Sequence, residues 1–300
     1  MKILILGGDG MLGHQLFLNL KKNHVVFTTL RQDTAAYKHY QLFDHHNSYF
    51  KIDVCRESDI KRVIDDVQPQ VIINAVGIVK QRDSAKEFIP SLEINALFPH
   101  RLARLCEEYK IRMIHFSTDC VFSGRQGKYT ENDPSDAEDL YGKSKHLGEL
   151  YDKHCVTIRS SIIGLELARK TGLIEWFLAQ RGIIKGFRRA IYSGLTTQEM
   201  NRVIECILIQ YPDLYGVWHV SSEFINKYEL LMRLAKKLGR NDIEIQPDDK
   251  FICDRSLIGA AFKKATGYQA PSWDMMLDEL AHQIKQRNEL NISREIPCNY

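Results

Sequence analysis

Tyr141 and Lys145 stand four residues apart in the stretch Tyr141-Gly142-Lys143-Ser144-Lys145. The segment reads as a helix, and residues i and i+4 share a helical face, so a phenol and an ammonium can project into one site. A free phenol titrates near about 10. A fixed positive charge beside it favours the phenolate and lowers that value. Such a pair can pass a proton to or from an alcohol oxygen. The spacing also arises by chance, and an ordinary surface pair is the plain alternative. A second constellation lies at the other end of the chain. Residues 1–13, MKILILGGDGMLG, put Gly7, Gly10 and Gly13 directly after an apolar run and at the opening of a helix. Missing side chains there permit a tight turn, close approach of the backbone to a pyrophosphate and close helix–strand packing. The helix N-terminus adds amide donors for the phosphates. A dinucleotide site is therefore expected over Gly7, Asp9, Gly10, Met11, Leu12 and Gly13.

These groups must be positioned by strands and helices in alternation. Apolar runs predict strands at 2–6, 25–30, 49–54, 71–76, 112–117 and 155–160. In 57–67, Ile60, Val63, Ile64 and Val67 mark one helical face, and 91–109 reads as a longer helix. Continuous apolar strands alternating with helices predict an α/β fold, a Rossmann-type doubly wound parallel sheet covered on both faces. After about residue 160 the rhythm loosens. Helices are expected at 173–180, 197–210 and 226–238, strands near 190–193 and 216–221, and a last helix over 273–286 started by Pro271-Ser272. The expected organisation is a nucleotide-binding domain over 1–160, a small C-terminal α/β substrate lobe over 161–286 interleaved with the end of the sheet, and a loosely held tail over 287–300.

The second strand ends at Thr29-Leu30-Arg31. An Asp or Glu there would bind a ribose 2′-hydroxyl, whereas Arg31 can pair with a 2′-phosphate. The expected cofactor is NADP(H), with NAD(H) as the alternative. Asp53, followed by Val54, closes the third strand and could bind the adenine amine or cap a helix. With 300 residues and a net charge of +3, nothing points to nucleic acid or an anionic membrane as partner. Seven cysteines (55, 106, 120, 155, 206, 253 and 298) form no C-x-x-C pair and fit reduced thiols. No apolar run reaches the roughly 20 residues of a membrane span, and no secretory leader is recognisable. The expected compartment is cytoplasmic, and no metal site is expected.

Taken in order, Gly7-x-x-Gly10-x-x-Gly13, Asn74-Ala75-Val76-Gly77, Ser117-Thr118-Asp119 and Tyr141-x-x-x-Lys145 resemble the extended short-chain dehydrogenase/reductase family. The run Ser117-Thr118-Asp119-Cys120-Val121-Phe122-Ser123-Gly124, with Tyr129, Glu131, Pro134 and the Tyr141–Lys145 stretch, looks like the dTDP-4-dehydrorhamnose reductase group within it. So do Arg159-Ser160-Ser161, Gly216-Val217-Trp218-His219-Val220, Asp254-Arg255-Ser256-Leu257 and Ala270-Pro271-Ser272-Trp273. The resemblance implies that Tyr141 protonates a sugar C4 oxygen as hydride arrives, and that Lys145 holds the nicotinamide ribose and depresses the tyrosine pKa. It also implies that Thr118 hydrogen-bonds the carbonyl oxygen. Thr118 would sit at the carboxyl end of the fifth strand, with Ser117 pointing to the opposite face. Asn74, Ala75, Val76 and Gly77 would line the cofactor, with Asn95 behind them or bonded to the sheet edge.

On the substrate side, Thr118, Asp119, Cys120, Ser161 and Ile162 would face the sugar. Lys185, Arg188, Arg189 and Arg255 are candidate phosphate ligands, Arg being favoured for bidentate contact, although the Lys185/Arg188/Arg189 cluster could equally face a protein. The sequence departs from the group at two pocket positions. Cys120 stands where tyrosine is usual, and Ile162 stands where an aromatic is common. Both reduce aromatic surface and leave the sugar and the nucleotide base open. The implied function is an NADPH-dependent reductase of a nucleotide-linked 4-keto-6-deoxy sugar for deoxysugar or surface polysaccharide biosynthesis, with a homodimer common among relatives. An NDP-sugar epimerase of the same superfamily and a non-catalytic NADP-binding regulatory subunit are the alternatives. A dehydratase is disfavoured, because Thr118-Asp119-Cys120 lacks the Thr-Asp-Glu acidic pair.

Overall fold

The computed structural model describes residues 1–80, 86–168 and 170–295. The first half alternates as expected: β1 (Lys2–Leu6), α1 (Met11–Leu20), β2 (Val25–Thr29), α2 (Thr34–Tyr37), β3 (Ser48–Tyr49), α3 (Glu57–Val67) and β4 (Val71–Asn74). Next, α4 (Phe88–Ser91), a π-helical segment (Leu92–Leu97) and α5 (Phe98–Glu108) follow without a break, then β5 (Arg112–Phe116), α6 (Leu140–Leu147) and β6 (Cys155–Arg159). The second half carries β7 (Ile162–Ile163), α7 (Leu173–Ala179), β8 (Gly182–Phe187), β9 (Ala190–Tyr192), β10 (Leu195–Thr196), α8 (Thr197–Gln210) and β11 (Gly216–His219). It ends with β12 (Ile225–Asn226), α9 (Lys227–Leu238), β13 (Ile243–Asp248), β14 (Cys253–Asp254), α10 (Ala260–Thr266) and α11 (Trp273–Glu295).

One seven-stranded sheet, in the order β11-β6-β5-β4-β1-β2-β3, carries the site, and every pairing in it is parallel. Side chains of successive strand residues leave on opposite faces, so each strand serves two cores. Ile3 and Ile5 join Leu16 and Phe17 of α1 and Val203 and Ile204 of α8 on one face. Leu4 and Leu6 join Ile60, Val63 and Ile64 of α3 and Leu102 and Leu105 of α5 on the other. Strands buried on both sides are what the unbroken apolar runs required. β11 returns after α8 to pair with β6, Gly216 opposite Val156 and His219 opposite Arg159. The rest of the second half forms small sheets, β12-β9-β14, β10-β7 and β13-β8.

Three expectations change. The strand placed at 49–54 is only Ser48–Tyr49: β3 is the outer strand, and Lys51 turns to a φ of +58°, which ends the ladder. The single helix over 91–109 is interrupted by the π-helical segment. The helix expected to stop at 286 continues to Glu295, and residues 296–300 of the expected tail lie outside the described residues.

Candidate active site

A cavity of about 950 Å³ opens at the carboxyl ends of β1, β4 and β5, where sites of open α/β sheets lie. The nucleotide side is built by the first β–α turn. Gly7 has a φ of +84°, and a Cβ on Gly13 would sit 2.1 Å from the Gly7 carbonyl oxygen, so α1 can start against this turn only without those side chains. Gly10 N–H donates to Gly7 O at 3.1 Å. Gly7, Asp9, Gly10, Met11 and Leu12 line the cavity, whereas Gly13 serves the packing behind it. Tyr37 Oη donates to Asp9 at 3.2 Å, tying α2 to the turn.

Arg31 lines the same end and is exposed. Asp53 and Val54 also line it; the Asp53 carboxylate accepts the Cys55 N–H at 3.0 Å and lies 3.8 Å from Arg56. Asn74, Ala75, Val76 and Gly77 form the floor, with Asn74 Oδ1 accepting the Val76 N–H at 3.1 Å. Asn95 is placed elsewhere. It is buried behind the wall, its Oδ1 accepting the Ile78 N–H (2.9 Å) and its Nδ2 donating to Ile78 O (3.0 Å) and Ser144 Oγ (3.2 Å). With both ends of its amide engaged, it braces the cavity rather than lining it. A cradle that a Cβ would fill, amides at a helix N-terminus and an arginine at the second strand end together fit a dinucleotide with an anionic ribose substituent.

The reactive groups meet at the end of β5. α6 starts at Asp139, whose carboxylate accepts the Gly142 N–H at 2.8 Å and also pairs with Lys80 at 2.6 Å. Two residues further on, Tyr141 lines the cavity together with Thr118, whose hydroxyl acts to lower the phenol's pKa. Thr118 Oγ1 also donates to Asp119 Oδ1 at 3.1 Å and accepts the Cys120 N–H at 3.1 Å. Lys145 Nζ donates to Phe116 O at 2.6 Å. Ser117 points the other way, its Oγ donating to Glu149 at 2.6 Å, as strand alternation requires.

Burial dominates the electrostatics. It raises the Tyr141 phenol above its ordinary value, with Cys120 adding to the rise and the Thr118 hydroxyl opposing it. The expected depression by Lys145 does not prevail, because removing a phenolate from water costs more than the opposing interactions return. Burial likewise lowers Lys145 to about 8, against an upward pull from Glu149. It raises Asp119, opposed by Arg255, and pushes the Cys120 thiol up to about 12. A thiol held protonated in this way fills space rather than attacking.

The substrate half is walled by Asp119, Cys120, Ser161, Ile162, Tyr192, Lys227, Phe251 and Arg255. Arg255 is fixed by Nε donating to Phe122 O at 2.8 Å, and its Nη1 lies 3.7 Å from Cys120 Sγ. Arg188 does not line the cavity: it pairs with Asp249 in an exposed loop, and Lys185 lies 3.5 Å from Asp248. Those charges are neutralised locally by the last residue of β13 and the one after it. Lys227 and Phe251 escaped the sequence reading, since nothing in their local spacing marks them. Glu149 carried a weak signal, standing four residues beyond Lys145 just past the end of α6. Among the described residues no group of three or more His, Cys, Asp or Glu residues could hold a metal ion, and no helix is long and apolar enough to cross a membrane.

Residues 1–163 match the model of the RmlD substrate binding domain. The dTDP-4-dehydrorhamnose reductase of Aggregatibacter actinomycetemcomitans is 26% identical over 238 residues, 74% of each chain. Methionine adenosyltransferase 2 subunit beta of Danio rerio is 31% identical over 249 residues, 78% of this chain and 73% of its own. Several other relatives are matched over about half of their length. Among solved structures, the Bacillus anthracis dTDP-4-dehydrorhamnose reductase in complex with NADP superposes with a TM-score of 0.76 at 20% identity, covering 94% of this chain and 99% of that one. The chain belongs to the RmlD substrate-binding-domain family and is an extended short-chain dehydrogenase/reductase resembling dTDP-4-dehydrorhamnose reductase.

Proposed function

We propose that the protein is an NAD(P)H-dependent reductase of a nucleotide-linked sugar ketone, with NADPH as donor and a 4-keto-6-deoxy sugar as substrate, serving deoxysugar or surface polysaccharide synthesis. The observation that carries the reading is that Tyr141, Thr118 and Lys145, one helical turn below Tyr141, line one cavity continuous with the glycine turn. The bound nicotinamide would supply hydride to the carbonyl carbon. Tyr141, kept protonated by its burial, delivers its phenolic proton to the carbonyl oxygen, which leaves as the alcohol. Thr118 turns its hydroxyl proton from Asp119 to that oxygen as charge develops. Lys145 presents its ammonium to the ribose hydroxyls and compensates the tyrosinate that forms. Arg255 and Lys227 are the cations available to substrate phosphates, and Cys120 and Ile162 leave room where an aromatic would narrow the pocket.

The test is NADPH oxidation with purified protein against dTDP-, UDP- and GDP-linked 4-keto-6-deoxy sugars. Turnover with one of them supports the reading. NADPH binding with no oxidation of any sugar would favour a second reading, a regulatory subunit, to which the 31% identity with methionine adenosyltransferase 2 subunit beta gives weight. A cytoplasmic setting agrees with the free described cysteines. Self-association as a homodimer is checked by sedimentation.

A further inference from the structure

Behind the reactive groups lies a buried ionic frame that plays no part in the proton transfer just described. Glu149 is 3% exposed. Its Oε1 accepts from Arg159 Nε at 2.7 Å and from Ser117 Oγ at 2.6 Å; its Oε2 accepts from Arg159 Nη2 at 2.7 Å and lies 2.9 Å from His146 Nδ1. Arg159 Nη1 donates to His219 Nε2 at 3.2 Å, which puts the imidazole proton on Nδ1, where it donates to Tyr129 O at 3.2 Å. Every polar atom of the frame is used. A bidentate pair with all remaining sites satisfied is the form in which a buried ion pair is tolerated.

The placement of the frame is specific. Tyr141, Lys145 and Glu149 follow one another at four-residue steps, and Ser117, which Glu149 holds, is the residue before Thr118. One carboxylate, just past the end of α6, therefore touches the strand end that carries Thr118 and acts on the ammonium of Lys145. We propose that Glu149 is a positioning residue for the reaction: fixed by Arg159, it holds the Thr118 strand end in register and sets the electrostatic field in which Lys145 works.

Burial draws Lys145 towards its neutral form, and Glu149 is the group that pulls the other way. The other ionisable groups near Lys145 do not replace it. Tyr141 on the same helix is protonated, and His115 on β5, which faces Lys145 and His100 of α5, is held neutral by its own burial. Arg159 on β6 is a cation occupied by Glu149. Without the carboxylate, Lys145 loses its proton at a lower pH, and with it the charge that holds the ribose.

The inference rests on the NADPH-dependent reading, so the readout is cofactor binding as a function of pH. NADPH fluorescence is titrated against the full chain between pH 6 and pH 9. The wild type is expected to lose affinity as pH rises through about 8. Glu149→Gln should bind as the wild type does at pH 6, with its basic limb lowered by about one pH unit. In a Lys145→Arg background, whose guanidinium does not titrate in this range, Glu149→Gln should leave the limb unmoved. A limb that stays in place in the single variant, or still moves in the Lys145→Arg background, would overturn the proposal. Absence of NADPH binding to wild type at every pH would instead sink the function proposed above. Should the Gln variant not fold, Glu149→Asp keeps the charge and is expected to keep the wild-type limb; a full-unit shift there would also overturn the inference.

Discussion

The Thr118 oxygen is held by two neighbours: it donates to Asp119 and accepts from the Cys120 amide. With the oxygen so fixed, only its proton has to swing from Asp119 when charge develops on a substrate oxygen. Thr118→Val, which keeps the shape and removes the oxygen, should lower kcat about 100-fold with a small change in KM; steady-state kinetics with the accepted sugar check this. Tyr141→Phe should abolish turnover while NADPH still binds, by fluorescence titration. Arg31→Ala should weaken NADPH at least about tenfold more than NADH, as expected for a lost guanidinium–phosphate pair; equal losses would remove the 2′-phosphate role. At this scale the sequence was legible wherever partners are close in the chain. Tyr141, Lys145 and the Thr118/Ser117 alternation follow from helical and strand periods alone. Arg159 and His219 stand in two of the quoted motifs, but their contact was not legible, because strand pairing across 60 residues sets it.

Among the elements, the helix from Phe88 to Glu108 shows how one residue type redirects a rod. Pro99 has no N–H to donate to the Asn95 carbonyl four residues earlier. The backbone widens into the π-helical turn of Leu92–Leu97 at that point, and the Asn95 carbonyl is left against Gly148, where a Cβ would come within 2.0 Å. The Asn95 side chain is thereby turned onto Ile78 and Ser144. Asn95→Ala should destabilise the fold by about 1–3 kcal/mol, the cost of unsatisfied buried polar groups. Urea denaturation measures this, and weaker NADPH binding without lost stability would contradict the bracing role. Helices with a strong apolar stripe, such as α3 and α8, have the bounds that periodicity predicts. The β8–β13 ladder was invisible because its exposed face carries little alternation and its two strands lie some 60 residues apart.

At the scale of the molecule, two buried groups of one frame give stability a pH dependence. The Glu149 carboxyl is held down to about 2 by Arg159, His146 and Ser117 hydrogen bonds that outweigh its burial. Its contribution is present above the ordinary carboxylate value and is lost as pH falls towards about 2. His219 is lowered to about 4 by burial and by Arg159. The unfolded chain takes up that proton first, so stability falls between about 6.5 and 4. Each group contributes on the order of 3 kcal/mol. Melting temperature should decline in two stages on acidification, the first smaller in a His219→Gln variant, where buried His115 and His14 still contribute; a single decline confined below pH 4 would contradict the assignment.

The return of β11 to the sheet has a consequence for how such proteins can be recombined. The chain leaves the sheet at Arg159, builds β7 to α8 of the second half, comes back at Gly216 and then leaves again for β12 to α11, so the polypeptide of one part is threaded through the other. A fragment ending near residue 163 would bare the whole flank of β6 as an unpaired edge, an invitation to aggregate. It would also strip His219 from Arg159. The two parts are therefore not exchangeable cassettes. A hybrid with a relative would have to carry over β11 and its histidine with the nucleotide half, and one splice would not suffice.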